Sequence, residues 1–247
     1  MVITSRILQD QLGINSFVAD FFANKRPVPA DNLFWQGKRI YLSVGFGFLT
    51  IPFAFDLMQK RGIPLESLLE DNHVSLMERG FHFLKKYENN EMDQPAFLTA
   101  CRQLLESAVR QPHLASDLFA LFSGQPTRFF QFEQQHKALA RSDFFLFTLV
   151  DLEVSDQWVA DFLPYWYALA RPILLLDDFK DIEEDKVEGE ENTILELGGD
   201  KAAVEKAYDL GKSDLKLLAT VNPHLADFIG GLLDDSLSYA PIKSLLT

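Results

Sequence analysis

Disulfide chemistry is missing from this chain: one cysteine, Cys101, among 247 residues excludes an intrachain disulfide framework and fits a reducing compartment. Strand signals are scarce too. Few Val/Ile/Thr runs alternate with polar residues, and Asn-Gly or Asp-Gly hairpin turns are almost lacking, which disfavours a β architecture. Long hydrophobic runs are also absent: the longest uncharged stretch, 40–55, has 16 residues and contains Gly45, Gly47 and Pro52. A bilayer span needs roughly 20 apolar residues, so no transmembrane segment is expected. Positive charge is in deficit, with 23 Lys and Arg against 36 Asp and Glu and a formal net charge of −13. That balance argues against a nucleic-acid partner, since phosphate backbones require clustered cations. The first residues place Arg6 and Asp10 where a signal peptide would need an apolar stretch, so a cytoplasmic location is expected. No linker, low-complexity tract or repeat divides the chain, and residues 1–247 are expected to form a single domain.

What is abundant is apolar spacing at i, i+3, i+4 and i+7, which predicts an all-α fold. Helices are expected at about 3–23 (broken at Gly13), 36–60, 65–88, 94–110, 114–122, 126–151, 156–187, 200–219 and 223–237. Asp93, Ser155 and Gly62 supply cap chemistry at three of these boundaries. Pro52, Pro164 and Pro172 lie inside two of the most apolar helices and are expected to kink them. Phenylalanine is overrepresented, with 22 residues in the chain and clusters at 46–55 and 129–147. A core absorbs such residues, and a large apolar pocket uses them as well; Phe48, Phe144 and Phe145 are the candidate pocket residues.

The most informative stretch is the acidic run after the apolar segment 158–176. Residues 177–191 hold nine acids against Lys180 and Lys186. Asp177, Asp181 and Asp185 fall at i, i+4 and i+8 and share a helix face, with Asp178 beside them. Like charges at that spacing cost a few tenths of a kcal/mol per pair, which a bound cation would offset. Oxygen-only ligands of this kind suit Mg²⁺ or Mn²⁺. The plainer alternative is a solvated acidic helix face.

The segment Asp177-Asp178-Phe179-Lys180-Asp181 resembles the second aspartate-rich DDxxD motif of the class I isoprenoid synthases. That superfamily comprises trans-prenyltransferases, squalene and phytoene synthases and terpene cyclases. In an overlapping register, the run from Asp181 through Glu184 and Asp185 to Gly189 resembles the DxxEDxxxG of squalene and phytoene synthases. A second likeness is Lys137, 40 residues before Asp177, which is similar to a diphosphate-contacting lysine segment; Arg141 follows one turn later. The resemblance implies a helical bundle around a deep apolar cavity. It implies Asp177, Asp178, Asp181 and Asp185 as catalytic or metal-holding acids, and Lys137 and Arg141 as diphosphate contacts. The implied activity is that of a Mg²⁺-dependent terpene synthase or prenyltransferase, a lyase or transferase acting on a prenyl diphosphate, with a homodimer as one arrangement. The first acidic motif of that family is missing: in the corresponding region, 41–64, Asp56 is the single acid and the metal-holding candidate that the resemblance leaves there.

Two other readings stay open. One is a catalytically inactive relative that binds an isoprenoid or a partner subunit. The other takes Glu70 with His73, and Glu133 with His136, as two ExxH pairs of a di-iron carboxylate bundle, with Glu106 as a further ligand.

Overall fold

Local chemistry divides the N-terminal region into short helices. Thr4 caps α1 (Ser5–Asp10), and Asn15 caps α2 (Ser16–Asp20) by accepting from the Phe17 N–H at 2.9 Å. Between them Gly13 takes φ +63°, a conformation that strains any residue with a side chain. A π-helical turn, Phe21–Lys25, follows α2. The expected helix over 3–23 is therefore three pieces, broken where Gly13 predicts.

The computed structural model describes residues 3–38, 40–42, 45–130 and 139–247, and among them it contains thirteen α-helices and no β-strand. After α1 and α2 come α3 (Gly45–Lys60), α4 (Leu65–Leu68), α5 (Asp71–Glu88), α6 (Gln94–Leu105), α7 (Pro112–Phe122) and α8 (Ala140–Asp143). The C-terminal half holds α9 (Asp156–Glu188), α10 (Thr193–Glu196), α11 (Lys201–Ala219), α12 (Pro223–Ser236) and α13 (Ala240–Leu246).

Helix α9 is the axis of the fold, 33 residues and about 50 Å long at 1.5 Å per residue. It starts where the Ser155 hydroxyl accepts from the Trp158 N–H at 3.1 Å and stops at Gly189, whose φ of 73° ends the helical hydrogen bonding. Pro164 and Pro172 both lie within it. It packs against α3, α7, α10, α11, α12 and α13. Phe162, Trp166 and Phe179 are fully or almost fully buried along it, each burial stabilising by about 2–3 kcal/mol. Gly211 on α11 permits this packing: a Cβ there would stand 3.0 Å from both Leu175 of α9 and Leu233 of α12.

The expected helix over 126–151 differs most. Within its described part, only α8 is α-helical, and a 3-10 run, Phe144–Leu149, follows. All six residues of that run are buried. Three residues per turn point successive side chains in three directions, which lets a continuous Phe-Phe-Leu-Phe-Thr-Leu sequence bury every member. Phe145 stacks on Trp166 at 5.3 Å, while Phe144 meets Phe81, Phe97, Phe122 and Phe147. The space left among Phe81, Phe144, Phe145 and Phe147 is about 20 Å³, room for roughly one water.

Candidate functional site

The α9 acids divide into two pairs. Asp178 is 4% exposed and its carboxylate accepts from the Thr193 backbone N–H at 3.0 Å. Burial pushes its carboxyl up to about 7, the Thr193 contact works against that rise, and the neighbouring charges of Asp185 and Asp177 add to it. Asp185 accepts from Asn192 Nδ2 at 2.7 Å, and the same amide donates to the Asp178 backbone carbonyl at 2.9 Å. The Asn192 oxygen in turn caps α10, accepting from the Ile194 N–H at 2.9 Å. Asp178 and Asp185 thus hold the chain after Gly189 folded back against α9.

Asp177 and Asp181 form the other pair, one helical turn apart, the first exposed and the second half-buried. Asp181 is bridged by Lys180 at 2.8 Å, and Lys180 is itself mostly exposed. Exposed pairs of this kind contribute at most about 1 kcal/mol, so a divalent cation competes readily for the carboxylate. Among the described residues, no group of three or more His, Cys, Asp or Glu side chains is arranged to hold a metal ion. Two aspartates one turn apart nevertheless match the donor set of Mg²⁺, which binds through one or two carboxylates and fills its shell with water and substrate phosphate.

Asp56 is spent elsewhere. It is 1% exposed and accepts from the Asn15 N–H at 2.7 Å, Lys60 Nζ at 2.7 Å and Asn222 Nδ2 at 3.1 Å. Burial holds its carboxyl above the ordinary range despite Lys60. Lys60 also donates to the Gly13 carbonyl at 2.7 Å, while Asn222 caps α12 through Leu225. These contacts tie the α1–α2 turn, α3 and α12 together, and none involves the α9 acids.

A pocket of about 450 Å³ lies where α9 ends, bordered by Gly189, Glu190 and Glu191 on one side and by Tyr87, Phe97 and Phe144 on another. Phe144, itself buried, lends part of that wall, whereas Phe145 is core packing against Trp166. Lys137 lies outside the described residues, as do the side chains of Arg141 and Phe48. Glu133 and His136 lie outside them too. His73, the remaining histidine of the ExxH pairs, sits 2.8 Å through Nδ1 from Asp151, a partner 78 residues away. Neither that contact nor the Asn192 clasp carries a local sequence signal beyond the tendency of Asn to cap helices.

Deep in the core, Asp143 accepts from Trp166 Nε1 at 3.1 Å. Burial raises its carboxyl to about 7, opposed by Trp166, Tyr167 and the charge of Arg171. Arg171 pairs with Asp214 at 2.9 Å. No known protein family, curated protein or solved structure matches this chain.

Proposed function

We propose that this protein is a class I isoprenoid synthase-like protein that binds a prenyl diphosphate with Mg²⁺ and ionises it. The observation that carries the reading is the placement of the α9 acids: Asp178 and Asp185 bond to Thr193 and Asn192 beyond the helix end, while Asp177, exposed, and Asp181, half-buried beside Lys180, lie one turn apart on the same helix. Asp177 and Asp181 would hold the cation. Bound Mg²⁺ supplies neutralisation of the departing diphosphate charge. The 450 Å³ pocket beyond the helix end, with Tyr87, Phe97 and Phe144 on its wall, offers apolar surface for a hydrocarbon tail. Lys137 and Arg141 remain the proposed diphosphate contacts on the strength of the motif resemblance alone.

A second reading, an isoprenoid-binding relative without turnover, is favoured by Asp56. Its carboxylate is sealed by Lys60, Asn15 and Asn222, so the region that would carry the first acidic motif offers no accessible acid. One experiment addresses both readings. Calorimetric titration with a non-hydrolysable prenyl diphosphate, with and without Mg²⁺, tests binding, and product analysis with the natural diphosphates tests turnover. Mg²⁺-dependent binding with released diphosphate supports the enzyme. Binding without products supports the relative, and no binding in either condition sinks both.

A further inference from the structure

A second cleft, of about 570 Å³, lies between the start of α5 and the segments 107–110 and 151–153. No α9 residue lines it. Its volume falls within the range of small-molecule sites, but its wall is mainly polar, unlike the pocket at the end of α9. His73 and Asp151 both line it. Asp151 accepts from His73 Nδ1 at 2.8 Å, which fixes the ring and leaves Nε2 as the open nitrogen. That Nε2 is buried and has no hydrogen-bond partner among the described residues. The His73 side chain is only 2% exposed. A buried polar group left without a partner destabilises the fold, a penalty that a ligand would relieve.

Charge in the cleft points to the ligand class. Glu153 is engaged by Arg110 at 3.3 Å, Glu70 accepts from Asn72 Nδ2 at 3.4 Å, and Asp151 is taken by His73. Arg79, exposed on α5, lines the same cleft and makes no ion pair or hydrogen bond among the described residues. The first turn of α5 also borders the cleft through Asn72 and His73, and the backbone N–H groups of a first helical turn lack helical partners and favour anions.

We propose that this cleft binds a small molecule bearing a single oxyanion, of the phosphate or carboxylate class, held between Arg79 and the His73–Asp151 pair. The oxyanion lies against His73 Nε2, with the Asp151 carboxylate on Nδ1 at the other side of the ring. With Arg79 as the uncommitted cation and three acids nearby, the site suits one anionic group and disfavours a polyanion such as a diphosphate. It is independent of the reading of the α9 acids.

The test is calorimetric titration of the full chain with inorganic phosphate and, separately, acetate, at constant ionic strength with a chelator and no divalent cation. Under those conditions the α9 acids repel anions, so the two sites are distinguishable. Saturable binding of either anion is expected; phosphate alone assigns the phosphate class, acetate alone the carboxylate class. Arg79→Gln is expected to weaken binding at least about tenfold, the loss of one charge-assisted contact. His73→Gln should weaken it as well, whereas Asp177→Asn with Asp181→Asn should leave it as in the parent. If His73→Gln fails to fold, the exposed Arg79 carries the test. No saturable heat from either anion up to about 50 mM, or undiminished affinity in Arg79→Gln, overturns the proposal.

Discussion

Two acidic regions of this protein have the same side-chain chemistry and opposite fates. Asp56 lies under the N-terminal turn with three donors around it, whereas Asp177 and Asp181 lie where α9 emerges from the core. The family resemblance names all of them as candidate metal-holding acids, Asp56 alone in the place of the missing first motif. In the folded chain Asp56 instead holds the structure together, because its carboxylate neutralises Lys60 and joins elements more than 160 residues apart. A third fate lies between these, for Asp178 and Asp185 act on the same helix as Asp177 and Asp181 but serve the Asn192 clasp. The partners that tertiary packing brings to each carboxylate, more than the acid motif itself, decide what it does in the fold.

The sharpest way to break this contrast is to delete the sealed acid. Asp56→Ala strands the Lys60 ammonium, the Asn15 N–H and the Asn222 amide together, so a loss of about 3–5 kcal/mol is expected in urea unfolding. A loss below about 1 kcal/mol would show that the buried contacts are dispensable.

The clasp should have an intermediate effect. Asn192→Ala removes the α10 cap and two further hydrogen bonds, an expected cost of about 2–3 kcal/mol. Hydrogen exchange should then rise first in residues 189–199. Uniform exchange across the fold would mean that the clasp does not define a local unit.

Asp143 sharpens the contrast through pH. Below about pH 4 its carboxyl is protonated in folded and unfolded chains alike and contributes no pH dependence. Between that point and about 7 the unfolded chain ionises while the buried carboxyl resists, so this group lowers stability as pH rises and reaches its full penalty above 7. Asp143→Asn keeps an acceptor for Trp166 and should stabilise by about 1–2 kcal/mol at pH 8 and by little near pH 4. Equal effects at both pH values would show that Asp143 ionises freely in the folded state.

Much of α9 is legible in the sequence. Ser155 and the apolar run place it at 156–187 against the observed Asp156–Glu188, and the acid spacing shows which aspartates share a face. The 3-10 run is illegible for a physical reason: Phe-rich sequence with apolar residues at every position satisfies a helical pattern while carrying no preference for 3.6 over 3.0 residues per turn. The His73–Asp151 contact and the roles of Asp56 and Asp178 depend on partners brought together by tertiary packing, which no spacing within one segment encodes.

The smallest stability effect carries the functional claim. Asp177→Ala with Asp181→Ala removes like-charge repulsion on one helix face, so stability should change by no more than about 0.5 kcal/mol. The decisive measurement pairs calorimetric titration of that double variant and the parent, using Mg²⁺ and a non-hydrolysable prenyl diphosphate, with their melting temperatures. The account predicts Mg²⁺-dependent binding in the parent, its loss in the variant, and nearly equal melting temperatures. Equal affinity in both proteins, or a large fall in the variant's melting temperature, would contradict it and return Asp177 and Asp181 to a structural role.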